Sequence, residues 1–335
     1  MSRRVRAVAG LAAALLAVGS LAACTADEEP VPDPEVTVQG LPGERPTLVY
    51  DTPLVVPRTL RETVWPGSGD PVATGDTVLL DYLLQDARTG AVLADTWSGT
   101  PEVRTVSPEE LGADLARTLT GAAPGARLLQ VGAGTVGATA AAGGGDPAAT
   151  PGATSAATGA AGPSGPTVTV IDVLPLRAQG TAVEARAGLP TVTLDEAGRP
   201  TLVPVADPPP ADLVAQPLLR GTGPQVAADD VVTVQYAGFA WNGEGFDTTW
   251  ETREPVSFAL ADVPSWQAGL TEQTVGSQVL LVVPPSYPLG VTTEGARLAG
   301  QTVVFVVDVL AARPVGGLPA AQAAPTAGAT AGATS

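Results

Sequence analysis

The stretch Val232-Thr-Val-Gln-Tyr-Ala-Gly238, followed by the turn Asn242-Gly-Glu-Gly245 and by Phe246-Asp-Thr-Thr-Trp250, reads as a strand, a turn and a returning segment. β-branched and aromatic residues fill the outgoing arm, and the turn residues separate the two. Working outward, Pro255-Val-Ser-Phe258 is a further strand, and a short helix with Ser265 as its N-cap carries Trp266 and Leu270. Gly276-Ser-Gln-Val-Leu-Leu-Val-Val-Pro-Pro285 and Thr302-Val-Val-Phe-Val-Val-Asp-Val-Leu310 are long apolar runs, the pattern of buried strands. Upstream, Pro208-Pro-Pro210 makes a stiff turn into a strand at 213–219. Many strands at hairpin spacing around one short helix predict an α+β domain with an antiparallel sheet.

This domain has an earlier copy. Arg45-Pro-Thr-Leu-Val49 returns 154 residues later as Arg199-Pro-Thr-Leu-Val203. The same offset carries Gly67, Gly69, Asp76 and Tyr82 onto Gly221, Gly223, Asp230 and Tyr236. Leu119 and Gly125 match Leu270 and Gly276 at an offset of 151, and Ile171-Asp-Val-Leu174 matches Val307-Asp-Val-Leu310 at 136. Steps in the offset mark loop insertions inside a shared fold.

The first copy spans 48–176. Val78, Leu80, Tyr82 and Leu84 alternate as a half-buried strand does. Ser107-Pro-Glu-Glu110 is a capping box that opens a helix bearing Leu111, Leu115 and Leu119, and a strand follows at 127–131. Residues 132–166 are rich in Ala, Gly, Thr, Ser and Pro and lack bulky apolar residues, so they read as a disordered insertion. Taken instead as a linker between domains, this tract would leave the strand 168–174 without a domain. Residues 177–188 join the copies, the second copy spans 189–312, and 313–335 reads as a disordered tail.

Composition excludes most chemistry. The chain has 335 residues, enough for two domains with linkers. It carries 34 acidic and 17 basic residues, for a formal net charge of −17. Such a chain repels nucleic-acid phosphates, so nucleic acid is not an expected partner. Every basic residue is Arg, there is no His, and there is one Cys. Histidine acid–base catalysis, lysine Schiff bases, Cys/His zinc sites and an intrachain disulfide are therefore excluded. The sequence points to no metal and no cofactor.

Met1-Ser-Arg-Arg-Val-Arg6 and the apolar stretch 7–21 have the form of a secretory signal at 1–23. Leu21-Ala-Ala-Cys24 resembles a bacterial lipobox, which makes Cys24 the expected lipidation site and the lipid the expected contact with the membrane. Residues 24–47 are acidic and Pro-rich at their start and read as a disordered spacer. The expected localisation is extracytoplasmic, anchored to the outer face of the cell membrane.

In the second copy the Tyr-x-Gly strand, the Gly-x-Phe-Asp turn, the Trp-x-x-Gly-Leu helix, the Val-Gly-Ser…Pro-Pro strand and the Phe-x-Val-Asp-x-Leu ending occur in order across 213–310. Together they resemble the FKBP-type peptidyl-prolyl cis–trans isomerases. The layout with a signal sequence and two copies is similar to secreted FKBP-type lipoproteins of high-GC Gram-positive bacteria. The resemblance implies two FKBP-like domains, each an antiparallel sheet wrapped around a short helix. It implies a site in the second copy with Trp266 as the floor, Tyr236, Phe246 and Phe305 as walls, and Asp247 as the polar group near the twisting carbonyl. Val256, Val263 and Leu289 would complete the substrate contacts. Leu289 and Val256 stand where the family commonly has aromatic residues. In the first copy Tyr82 and Asp95 are expected to survive, with Ala94, Leu115 and Thr169 replacing Phe246, Trp266 and Phe305. The implied partners are proline-containing segments of secreted or cell-envelope proteins. The alternative is a non-catalytic lipoprotein whose FKBP-like domains only bind a partner.

Overall fold

The computed structural model describes residues 33–132, 165–288, 298 and 300–314. The first copy begins with a hairpin, β1 (Thr37–Gln39) and β2 (Thr47–Val49). There follow β3 (Leu60–Pro66), β4 (Thr77–Asp86), β5 (Val92–Asp95), β6 (Glu102–Thr105), α1 (Pro108–Leu111), α2 (Ala113–Leu119), β7 (Ala126–Gly132) and β8 (Thr167–Leu174). The second copy has β9 (Thr181–Ala182), a hairpin of β10 (Thr191–Leu194) and β11 (Pro200–Val203), then β12 (Val214–Arg220), β13 (Asp230–Ala240), β14 (Gly245–Thr248) and β15 (Val256–Ala259). α3 (Pro264–Leu270), β16 (Gln278–Val283) and β17 (Val303–Pro314) complete it.

The two main sheets have the same antiparallel order. In the first it is β3-β7-β8-β4-β5, with β6 also pairing β4; in the second it is β14-β13-β17-β16-β12-β9, with β15 also pairing β13. β8 pairs with both β4 and β7, so the segment after residues 133–164 is central to the first sheet. The insertion expected within 132–166 falls on 133–164, outside the described residues, as do Cys24, the signal segment and most of the tail.

Each sheet is buried on both faces, and the period of two decides which residue meets which cover. In β16 every residue from Gln278 to Val283 is buried. Val279, Leu281 and Val283 pack toward α3 with Trp266 and Leu270. Leu280 and Val282 pack the other way, with Leu202 of β11 and half-buried Val192 of β10. The first copy repeats this: Leu128 and Ile171 lie with Leu119 of α2, whereas Leu129 and Val170 lie with Val38 and Leu48 of the leading hairpin.

Several expectations need correction here. The 24–47 spacer contains β1 and the start of β2, and the repeated Arg-Pro-Thr-Leu-Val segment supplies the second hairpin strand of each copy. β4 is not half-buried: six of its ten residues are buried, Val78 and Leu80 on the face toward α2 and Leu79 and Leu83 on the opposite one. The 177–188 linker contributes β9, which pairs Ala182 with Leu219. β17 runs to Pro314, past the expected end at 312. Ser265 does not cap α3. Val263, with φ −126° and ψ 84°, is the N-cap, Pro264 takes the first helical position with its preset φ, and the Ser265 hydroxyl is buried with no partner among the described residues.

Equivalent buried positions carry different charges. Asp172 in β8 faces Arg127 in β7, and Asp308 in β17 faces Gln278 in β16. Fully buried Arg127 donates to Asp172 at 2.6 and 2.8 Å and to the Glu44 carbonyl at 2.6 Å, tying the leading hairpin to the sheet. Asp308 receives only neutral donors, Gln278 Nε2 at 2.8 Å and the Ala178 amide at 2.7 Å. Burial therefore dominates and pushes its carboxyl up to about 6, the two hydrogen bonds pulling the other way by less. The copies are themselves joined by an ion pair: Arg313 of β17 donates to buried Asp81 of β4 at 2.6 Å.

The Asp308 carboxyl binds its proton more tightly folded than unfolded. Its contribution to stability is fully present below about pH 4 and is lost as pH rises through about 6, a change of about 3 kcal/mol. Asp308→Asn keeps one of the two accepting oxygens and cannot ionise, so its constant loss of a hydrogen bond is separated from the pH-dependent part. Urea unfolding at pH 4 and pH 7 should show the variant gaining about 3 kcal/mol on the wild type across that interval. Parallel pH profiles for the two proteins would refute the assignment.

Candidate functional site

The site is built where the edge of β13 is interrupted. β14 pairs with Ala237–Phe239 and β15 pairs with Val231–Val234, leaving Gln235 and Tyr236 between them. The backbone of Tyr236 is satisfied by Thr249 instead: its N–H donates to Thr249 Oγ1 at 2.9 Å, and the Thr249 N–H donates to its carbonyl at 3.0 Å. The side chain of Tyr236 is thereby held facing α3.

Four aromatic rings meet there edge to face. Tyr236 and Trp266 lie 5.2 Å apart at 86°, Trp266 and Phe305 5.2 Å apart at 66°, and Phe246 and Phe305 5.7 Å apart at 83°. Trp266 and Phe305 are buried, whereas Tyr236 and Phe246 are half-buried and keep part of their rings toward solvent. Two glycines make this packing possible. A Cβ at Gly238 would stand 2.7 Å from Phe246 Cζ and 3.1 Å from Phe305 Cε1. A Cβ at Gly269 would stand 2.2 Å from Leu281 Cδ1, so Gly269 sets how closely the helix bearing Trp266 approaches the sheet.

The polar element is one pair. The Tyr236 hydroxyl donates to Asp247 Oδ2 at 2.5 Å. Burial, and then the hydrogen bond and charge of Asp247, hold the Tyr236 phenol well above its ordinary range, so it stays protonated. The arrangement can present an apolar aromatic surface with one carboxylate and one phenol at its rim. Among the described residues it brings no His, Lys or Cys to that surface.

Of the residues singled out from the sequence, the structure brings together Tyr236, Phe246, Asp247, Trp266 and Phe305, with half-buried Val263 packed against the same core. Val256 is not among them; it is 38% exposed at the start of β15. Leu289 lies outside the described residues. Phe258 was missed: it packs on Trp266 at 5.4 Å, and its position two residues after Val256 on the same strand was the available signal.

Strand register also corrects the comparison of the copies. Leu83 pairs with Asp95 where Ala237 pairs with Thr248, so Asp95 is the counterpart of Thr248, Ala94 of Asp247, and Leu93 of Phe246. Side-chain roles agree: Asp95 accepts from the Trp97 amide as Thr248 accepts from the Trp250 amide. Asp95 also pairs with Arg45 at 2.8 Å. The first copy thus lacks the site carboxylate, as well as Phe246, Trp266 and Phe305.

The model of the family FKBP-type peptidyl-prolyl cis-trans isomerase matches residues 223–310. A probable FK506-binding protein of Corynebacterium glutamicum is 33% identical over 107 residues, which are 31% of this chain and 91% of that protein. An FK506-binding protein of Streptomyces anulatus is 34% identical over 109 residues, 31% of this chain and 88% of that protein. Among solved structures, FkpA from Escherichia coli is 29% identical, with 37% of this chain and 52% of that chain covered and a TM-score of 0.27. The chain belongs to the FKBP-type peptidyl-prolyl cis–trans isomerase family, and its activity is that of a peptidyl-prolyl isomerase. The hairpin β10–β11 and the whole first copy lie outside the residues matched by the family model.

The glycine at 238 is testable by substitution. Gly238→Ala should displace Phe246 and cost about 1–3 kcal/mol in stability through overpacking. Combining it with Phe246→Ala should recover part of that loss in thermal melts, since the clash is with that ring; strict additivity would refute the contact as its cause.

Proposed function

We propose that the second copy carries the isomerase activity, that the aromatic cluster is where the proline ring is held, and that the clients are secreted or cell-envelope polypeptides. The carrying observation is that Tyr236, Phe246, Asp247, Trp266 and Phe305 converge in the second copy, while in the first strand register puts Leu93, Ala94 and Thr169 at three of those positions and the offset between the helices puts Leu115 at a fourth.

The chemistry fits the composition. An X–Pro bond rotates across a barrier of roughly 18–20 kcal/mol that is the lost amide resonance. The twisted amide has less charge separation than the planar one, so an apolar surface favours it relative to water. Trp266 and Phe305 supply that surface and orient the ring, and contacts to flanking residues hold the bond partly rotated. Asp247, fixed by Tyr236, supplies a negative charge at the rim. No proton transfer is needed, which suits a chain without His or Lys.

The leading segment supports that location for the clients. The sequence Leu21-Ala-Ala-Cys24 supports lipidation at Cys24 and anchoring outside the cell membrane. No helix among the described residues is long and apolar enough to cross a membrane.

In the full chain, Trp266→Ala should lower kcat/KM on a proline peptide at least tenfold, whereas Leu115→Ala at the matching position of the first copy should leave it within about twofold. Equal losses from both variants would contradict the assignment. The rate should also be flat between about pH 6.5 and 9, because Tyr236 stays a phenol there; a bell-shaped profile would require a proton transfer that the site does not provide.

A further inference from the structure

A second recess adjoins the aromatic cluster. It is a groove of about 720 Å³ between the hairpin strand β11 and the strand β14, and both Phe246 and Asp247 line it. β14 ends the sheet, with no strand among the described residues paired to its outer side, so that side can accept an extended chain. The far wall is Pro200 and exposed Thr201 of β11, so the groove exists because the hairpin stands beside the sheet edge. Its charged residues are Asp195, Asp247 and Glu251 against the single Arg199, a formal excess of two negative charges. Asp195 is turned into its own loop, accepting from the Ala197 and Arg199 amides, which fixes the charge in place. Glu251 is 69% exposed on its side chain and meets Arg199 at 3.4 Å.

We infer that this groove seats the client segment next to the isomerised proline and selects basic residues there, which makes the hairpin a specificity element of the enzyme. The inference rests on the reading of the aromatic cluster as the proline site. Continuity comes from Phe246 and Asp247, which belong to both recesses, and the occupant's charge comes from the acidic lining. An extended segment leaving the cluster past Asp247 would lie along β14 and bring its side chains near Glu251.

The test uses the full chain and three peptides identical except for the residues flanking one X–Pro bond: alanine, arginine or glutamate. At low ionic strength kcat/KM should rank arginine over alanine over glutamate, with the extremes differing by about tenfold and the difference shrinking toward about twofold at high salt. Glu251→Arg should bring the arginine-to-glutamate ratio near unity, and Thr201→Glu should widen it. Glu184→Arg makes the same change in net charge on the exposed segment beside β9, at the opposite edge of the sheet, and should shift the ratio much less. If Glu251→Arg and Glu184→Arg shift the ratio equally, the preference comes from the chain's overall charge and the groove assignment is wrong. If the alanine peptide is turned over and the wild type is indifferent to flanking charge, the groove assignment alone falls. If the alanine peptide is not turned over, the reading of the aromatic cluster falls and takes this inference with it.

Discussion

In both copies a hairpin leucine, Leu48 or Leu202, lies against the sheet face that the helix does not reach. That contact is the condition for the rest. Strands such as Gln278–Val283 are buried along their whole length, so a sheet with only a helix on one side would expose Leu280, Val282, Val304 and Val306 to water. At about 25 cal/mol per Å² of apolar surface, leaving one face open would sacrifice several kcal/mol from a fold whose net stability is of that order. Covering it with a hairpin has a geometric consequence: β11 comes to stand beside the open edge of β14, next to the aromatic cluster. The element that completes the core also shapes the approach to the site.

Buried polar positions show the same backbone solved twice. Asp172 meets Arg127 and Asp308 meets Gln278, at equivalent points of equivalent strand pairs. A full counter-charge stabilises the first carboxylate and also reaches the leading hairpin through the Glu44 carbonyl. Neutral donors leave the second one costly to ionise. Asp81 goes a step further, because part of its counter-charge comes from the other copy, as Arg313. Burial holds the Asp81 carboxyl above its usual range even so. The two copies therefore share a buried ion pair, and neither sheet is electrostatically complete alone.

The fold class was legible because its strongest signals are local and periodic: the apolar runs 276–285 and 302–310, the Asn-Gly turn, and the repeat itself. The hairpins were not read as such, although the repeated Arg-Pro-Thr-Leu-Val segment marked them. A two-stranded hairpin of three or four residues per arm has too little periodicity to register, and its stability comes from the sheet beneath it. The alternation in Val78–Leu84 predicts one buried face, because nothing within the strand itself signals a cover on the other. The site was legible where it rests on types with few substitutes, Trp266 and Gly238 above all. It was misread at Asp95, where matching one acidic residue to another overrode the pairing register, and a slip of one residue exchanges the two faces of a strand.

That register also explains why the first copy lacks the site as a unit. Position 84 is the counterpart of Gly238: Leu84 pairs with Thr169 as Gly238 pairs with Phe305. In the second copy even a single carbon on residue 238 would crowd Phe246. In the first copy a whole buried leucine occupies that place, with Thr169 opposite it. An aromatic ring introduced at Leu93 would meet Leu84, and one introduced at Thr169 would meet the same side chain. The aromatic cluster and the glycine are thus one joint constraint. The leucine and threonine of the first copy are its complementary solution, filling with aliphatic volume the space that the second copy leaves for rings.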